Sequence, residues 1–332
     1  MKINKVLIIQ TASIGDVILA TPLIEKLHSF YPDAQIDFML KKGIESVFIG
    51  HPYLSNLIVW DKSTKKYAHL LDIINHNRDQ KYDLIINLQR FFSSGFTTVL
   101  SRAKKTSGFN KNPLSLFFSN RVRHKIGFEG NQLHETDRNL SLIEKWTDDT
   151  KYPIKLYPNP ADFAKTSQYK THQYICVAPA SLWHTKEYPV SKWVEFLKEV
   201  DHDTYIYFLG AKQDKSKCEQ IIKASGHKNS LILTGKLSFL ESAALMKDAL
   251  MNFVNDSAPM HLASAVNAPT TAIFCSTVPS FGFGPLSENS MIVEVKEKLD
   301  CRPCGIHGLI SCPKKHFKCA LNIDHKELLS RL

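Results

Sequence analysis

Short apolar, β-compatible runs alternate with amphipathic runs of helical period along nearly the whole chain, and this rhythm restricts the fold more than any other feature. Parallel strands need a crossover connection, usually a helix, so such alternation points to parallel sheets with helices on both faces. In the first half the strand-like runs fall near residues 6–10, 35–40, 57–61, 84–88 and 125–128, with helical runs near 17–30, 67–76, 95–101 and 135–146. Residues 147–171 turn polar and carry prolines, which reads as an interdomain linker with a short helix. The rhythm then resumes, with strands near 174–178, 204–209, 231–234, 251–254 and 271–274 and helices after Ser191, Asp214, Ser238 and Pro259. The expectation is an α/β protein of two Rossmann-like, doubly wound domains, 1–160 and 161–332. They face each other across a cleft, with ligands bound beyond the carboxyl ends of the strands.

Three strand-to-helix junctions carry candidate chemistry. In LMNFVNDSAPMHLASAVNAP, residues 250–269, an apolar strand ends at the capping residues Asn255, Asp256 and Ser257. Pro259 then suits a first helical turn, and small residues follow. A helix start of this kind presents unpaired amides and the positive end of a dipole, which together seat a phosphate. In VLIIQTASIGDVILATP, residues 6–22, a small-residue loop with Gly15 at its turn leaves Asp16 at the mouth of a helix, where a carboxylate can act as a base. In APASLWHTKEYPVSKW, residues 178–193, Ser181, Thr185 and Lys186 follow the strand YICVA and reach the sheet's carboxyl edge, suited to phosphate oxygens. Each has an ordinary alternative: a capped helix, an acid favoured by the helix dipole, and a solvated lysine beside packed Trp183 and Tyr188. Neither a G-x-G-x-x-G fingerprint nor a P-loop is present.

With 332 residues, 43% of them hydrophobic, the chain can bury two cores, and no apolar run approaches the roughly 18–20 residues of a membrane span. The first residues lack a signal-peptide pattern, so a cytoplasmic location is expected. A net charge of +10 favours an anionic partner such as a nucleotide, a phospholipid surface, a phosphorylated glycolipid or nucleic acid. Between Asp83 and Glu129 no acid interrupts Arg90, Arg102, Lys104, Lys105, Lys111, Arg121, Arg123 and Lys125, which alternate with Phe91, Phe92, Phe96, Phe109, Phe117 and Phe118. That mixture suits a phosphorylated, acylated acceptor on an anionic membrane; the alternative is core aromatics among solvated charges.

Of seven cysteines, Cys176, Cys218 and Cys275 sit in apolar or helical contexts. Cys301, Cys304, Cys312 and Cys319 form C-x2-C-x7-C-x6-C with His307 and His316 nearby, a spacing compatible with a structural Zn²⁺. A zinc-containing nucleic-acid-binding protein would explain the charge and this tail, but it leaves the acid-bearing junctions without a purpose and no nucleic-acid motif supports it. An epimerase or NAD-dependent oxidoreductase would share the sheets, yet the glycine fingerprint is missing.

Four segments, SIGDVILATP, APASLWHTKEYP, NDSAPMHLASAVNAP and CRPCGIHGLISCPKKHFKCA, occur in an order that resembles glycosyltransferase family 9, the ADP-heptose:lipopolysaccharide heptosyltransferases. The resemblance implies a GT-B fold, with the acceptor on the first domain and the nucleotide sugar on the second, and an inverting enzyme that requires no metal or other cofactor. It places the general base at Asp16, with Ser13, Gly15, Arg90, His134 and Arg138 on the acceptor side. Lys186 then contacts the donor phosphates and Ser181, with Thr185 beside it, supplies hydroxyls. Asp256, Ser257, Ala258 and His261 form the donor segment, and Asp214 lies close to the ribose or sugar. Many relatives carry Glu in place of Asp214 and Gly in place of Ala258. The implied partners are an ADP-heptose-like nucleotide sugar, a phosphorylated glycolipid or core oligosaccharide, and the inner face of the cytoplasmic membrane, on which the protein would be peripheral; no nucleic acid is expected. Relatives using other sugars share these segments, so chemistry is implied more firmly than substrate.

Overall fold

The computed structural model describes residues 2–126 and 133–332. They form two compact units, residues 2–126 with 133–157 and residues 158–332. The first holds strands β1 (Lys5–Ile9), β2 (Gln35–Lys41), β3 (Asn56–Trp60), β4 (Leu84–Asn87), β5 (Lys105–Phe109) and β6 (Asn120–Val122) in the order β3-β2-β1-β4-β5-β6. The second holds β7 (Tyr174–Ala178), β8 (Tyr205–Phe208), β9 (Ser230–Ile232), β10 (Asn252–Asn255), β11 (Thr270–Phe274) and β12 (Ser290–Glu294) in the order β12-β11-β10-β7-β8-β9. Every pairing is parallel, as in Ile9 opposite both Met39 and Asn87, and each sheet reverses its strand order once. Those reversals lie between β1 and β4 and between β7 and β10, where a doubly wound sheet binds its ligands.

The central strands are apolar on both faces because helices cover both, and β1, β4, β7 and β10 are almost wholly buried. Leu7, Ile9, Met39, Trp60 and Ile85 pack together in the first unit, and Val177, Trp193, Phe196, Phe208 and Phe253 in the second. Lys26 is also buried: its ammonium donates to the carbonyls of Asp148 (2.7 Å) and Thr150 (2.8 Å) and pairs with the Asp148 carboxylate, which ties residues 148–150 to the helix Thr21–Phe30.

Three strands escape the sequence pattern. β5 and β6 are polar (KTSGF and NRV), and β12 is only partly buried. Gly108 in β5 is required by packing, since a Cβ there would stand 2.5 Å from a ring carbon of Phe118. The strand expected at 125–128 does not form at Lys125 or Ile126, and its other half lies outside the described residues. The helix expected at 17–30 is two helices, Ile14–Ile18 and Thr21–Phe30. Pro22 has no N–H for the Ile18 carbonyl, and the Thr21 hydroxyl donates to it instead (2.8 Å). Past Leu140 the helix expected over 135–146 gives way to turns. Among the described residues no helix is long and apolar enough to cross a membrane.

Candidate active site

In the first unit, β1 runs into a loop whose last residue, Ser13, caps the helix Ile14–Ile18. Asp16, half-buried, closes a capping box: its Oδ2 accepts from the Ser13 amide (3.0 Å) and hydroxyl (2.5 Å), and its own amide faces the Ser13 oxygen (3.4 Å). This box fixes the carboxylate at the carboxyl edge of β1 and leaves Oδ1 without a donor among the described residues. Gly15 is buried behind it.

Behind the loop lies a polar cluster, buried at Gln10, Thr11 and Gln89 and exposed at Lys62, that the sequence pattern did not mark. Gln89, after β4, donates to Gln10, after β1, and the Thr11 hydroxyl reaches Gln89 (3.4 Å). Lys62, after β3, donates to the Thr11 carbonyl (2.7 Å) and stands over the Trp60 ring. Burial first, then Lys41 and Lys66, lower the Lys62 pKa to about 8. Three strand ends are thus joined where the order reverses.

His134 caps the helix Glu135–Leu140 through Nδ1, which accepts from the Thr136 amide (3.2 Å). Arg138 is 2% exposed and its guanidinium is committed to Glu135 (2.6 Å) and the Leu133 carbonyl (2.5 Å). Placed on the acceptor side by resemblance, Arg138 is buried and holds Glu135. The Glu135 pKa is raised, first by burial, with Arg138 opposing and the Asp16 charge adding to the rise. Asp16 and Glu135 therefore share one field. Burial, helped by Lys111, Arg138 and Arg90, lowers the His124 pKa to about 4.

The uninterrupted basic stretch divides across the sheet. Arg102, Lys104 and Lys105 lie at the amino end of β5, where Lys104 pairs with Asp83 (2.7 Å), so they belong to the edge opposite Asp16. Arg90, Lys111, Arg123 and Lys125 follow the carboxyl ends of β4, β5 and β6 and are exposed. The phenylalanines divide as well: Phe109 and Phe118 are core, whereas Phe91, Phe92 and Phe117 are exposed.

In the second unit the loops after β7, β8 and β10 carry the other candidates. Asn255, wholly buried at the end of β10, accepts from the Tyr188 amide (3.0 Å) and its own amide faces the Ala178 carbonyl (3.5 Å). It fixes both ends of the loop after β7, a positioning role hidden behind its reading as a capping residue. Lys186 pairs with Asp256 at 2.7 Å, and the Thr277 hydroxyl donates to the same oxygen (2.6 Å). Both side chains are mostly buried, 15% and 6% exposed, so the pair is weakly screened. Ser257 is extended and its side chain does not cap the helix Ala258–Ala265; its hydroxyl faces back to the Asn255 carbonyl (3.4 Å). Pro259 has no N–H and the Met260 amide donates to the Ser257 carbonyl (3.1 Å), so among the described residues the amides left open at this helix start are those of Ser257 and Ala258. His261 is buried on this helix.

Thr185 corrects the expectation of a phosphate contact. It is 1% exposed, and its hydroxyl oxygen accepts from the Leu309 amide (2.8 Å) and the Ser276 hydroxyl (2.9 Å). Ser181 stays half-buried, its amide donating to Glu187 (3.0 Å), which also takes the Lys217 ammonium. Asp214 turns back on its own loop to accept from the Ala211 amide (2.7 Å).

The four tail cysteines are near enough to influence one another: burial, followed by Cys304, pushes the Cys319 thiol up to about 11. Cys301 Sγ lies 3.8 Å from His316 Nε2. Among the described residues, no three His, Cys, Asp or Glu side chains converge to hold a metal ion.

The family model "Glycosyltransferase family 9 (heptosyltransferase)" matches residues 72–306. Lipopolysaccharide heptosyltransferase 3 of Escherichia coli is 28% identical over 290 residues, covering 83% of this chain and 84% of the relative. Among solved structures, a glycosyl transferase family 9 protein of Veillonella parvula superposes with a TM-score of 0.82 at 20% identity, covering 100% and 97% of the two chains. The E. coli ADP-heptose lps heptosyltransferase II superposes at 0.78 with 19% identity, covering 98% and 97%.

Proposed function

Because the chain belongs to glycosyltransferase family 9, the heptosyltransferase family, we propose that this glycosyltransferase moves a heptose from ADP-heptose to a lipopolysaccharide inner-core acceptor and inverts the anomeric centre. The observation that carries the donor half is the Lys186–Asp256 pair beside the uncapped start of Ala258–Ala265. An ammonium and the Ser257 and Ala258 amides, which donate to nothing among the described residues, meet a diphosphate from two sides, and Asp256, released from Lys186, is left to accept from a sugar hydroxyl. Donor identity rests on the relatives, whose names specify lipopolysaccharide and ADP-heptose.

The acceptor half rests on Asp16. Ser13 holds Oδ2, and Oδ1 takes the proton from the acceptor hydroxyl as that oxygen attacks the anomeric carbon opposite the leaving ADP. One base suffices for inversion. The charge that develops on the diphosphate is met by Lys186 and the helix start, so the reading assigns no step to a metal ion.

Thermal unfolding in the presence of nucleotide sugars tests the donor. ADP-heptose at a hundredfold excess over its Kd should stabilise the fold by about 2.7 kcal/mol and raise Tm, whereas UDP- and GDP-sugars should leave it unchanged. A rise with a UDP- or GDP-sugar and none with ADP-heptose would assign another donor.

The reading also makes the protein peripheral on the inner face of the cytoplasmic membrane. Phe91, Phe92 and Phe117 are 54%, 58% and 69% exposed, and Arg90, Lys111, Arg123 and Lys125 surround them in sequence. Asn112 joins the two loops that bear them, its amide donating to the carbonyls of Gln89 (2.9 Å) and Phe91 (3.0 Å). Rings of this kind sit at the headgroup level while the cations meet anionic lipid. Replacing Phe91, Phe92 and Phe117 together with Ser should abolish cosedimentation with phosphatidylglycerol vesicles; unchanged cosedimentation would remove this surface from the account.

A further inference from the structure

The cysteine-bearing tail is built onto the loop that carries Lys186. Thr185 and Leu309 are joined twice: the Thr185 amide donates to the Leu309 carbonyl (3.1 Å), and the Leu309 amide donates to the Thr185 hydroxyl (2.8 Å). Ser276, just past β11, donates its hydroxyl to the same Thr185 oxygen (2.9 Å) and its amide to the Thr185 carbonyl (3.2 Å), and it accepts from the Cys304 amide (3.1 Å). Arg302 anchors the tail's start through the carbonyls of Phe274, Cys275 and Thr277. Farther along, Phe317 stacks on His184 with ring centres 5.5 Å apart.

Gly308 is the point of closest approach. Its φ of +78° is a conformation that L side chains rarely adopt. A Cβ there would stand 2.8 Å from Cγ and 3.1 Å from Cδ of Lys186, and 3.1 Å from Cβ of Trp183. The atoms approached, Cγ and Cδ, are the middle of the lysine stem, not its charged end. A lysine has four rotatable bonds and loses up to about 2 kcal/mol of side-chain freedom on ordering. A backbone wall along its stem removes part of that loss before the donor arrives.

We propose that the tail around Gly308 and Leu309 is a clamp that holds Lys186 ready for the donor diphosphate, with Gly308 and Thr185 as positioning residues. The proposal rests on the reading that Lys186 contacts the donor. It also gives Thr185 a purpose: its buried hydroxyl holds the clamp shut.

The test compares Gly308→Ala, Thr185→Val and Lys186→Met in the full-length enzyme, reading donor KM, acceptor KM, ADP affinity by calorimetry, and Tm. The clamp predicts that Gly308→Ala and Thr185→Val each raise donor KM and ADP Kd about tenfold, as expected for a contact displaced by a fraction of an ångström, with acceptor KM unchanged. Thr185→Val adds no atom against the lysine, so it carries the test if Gly308→Ala fails to fold. Lower Tm with wild-type donor KM in both variants, while Lys186→Met loses donor affinity, would reduce the tail to scaffolding and overturn the clamp alone. Wild-type donor affinity in Lys186→Met would overturn the donor-site reading and the clamp together.

Discussion

Asp16→Asn should lower turnover by about 10²–10⁴-fold, the range attributed to a lost general base, while ADP binds as it does to the wild-type enzyme. The substitution is nearly isosteric. The amide oxygen can still accept from Ser13, so the capping box, whose loss costs about 1 kcal/mol, is largely kept and the Ile14–Ile18 helix stays in place. What disappears is the basicity of the oxygen that faces away from Ser13. Steady-state rates at saturating donor and acceptor check this, and a variant with more than a tenth of wild-type kcat would exclude Asp16 as the base. Glu135 is no substitute, because its carboxyl is buried and bound to Arg138.

Lys186→Met should lose donor affinity and stability together. Asp256 is 6% exposed at its side chain and would keep, among the described residues, only the Thr277 hydroxyl as a side-chain partner. Removing one member of a buried pair costs about 3–5 kcal/mol when both are fully buried, and the partial exposure of Lys186 puts this case near the lower end. Adding Asp256→Asn removes the stranded charge. The double variant should recover most of the stability seen in denaturant unfolding and none of the affinity for ADP. Equal stability of the single and double variants would show that the pair carries little energy.

Much of this was legible in the chain because the two informative junctions are local. Ser13 and Asp16 form a capping box within four residues, and Asp256, Ser257 and Pro259 mark a helix start within another four. The alternation of apolar runs likewise conveyed two doubly wound sheets. What sequence could not convey is which groups meet across the fold. Asn255 reads as a cap and is instead the brace for Tyr188, 67 residues away. Thr185 reads as a hydroxyl for phosphate oxygens and is consumed by Leu309, 124 residues away. Gln10, Gln89 and Lys62 carry no local motif, and only strand order brings them together. The basic stretch misled for the same reason: sequence proximity joined Lys104 and Lys105 to Arg90, but β5 puts its two ends on opposite edges of the sheet. β6 is the edge strand and only partly buried, so it needs no apolar run, whereas β5 is buried at four of five positions but with the small or polar residues Thr106, Ser107 and Gly108 among them.

Calorimetric titration of ADP into Asp16→Asn and Lys186→Met, with transfer rates measured on the same preparations, tests the division of labour most directly. The account predicts wild-type ADP affinity without transfer for Asp16→Asn, and lost ADP affinity for Lys186→Met. ADP affinity lost in the Asp16 variant and kept in the Lys186 variant would contradict it.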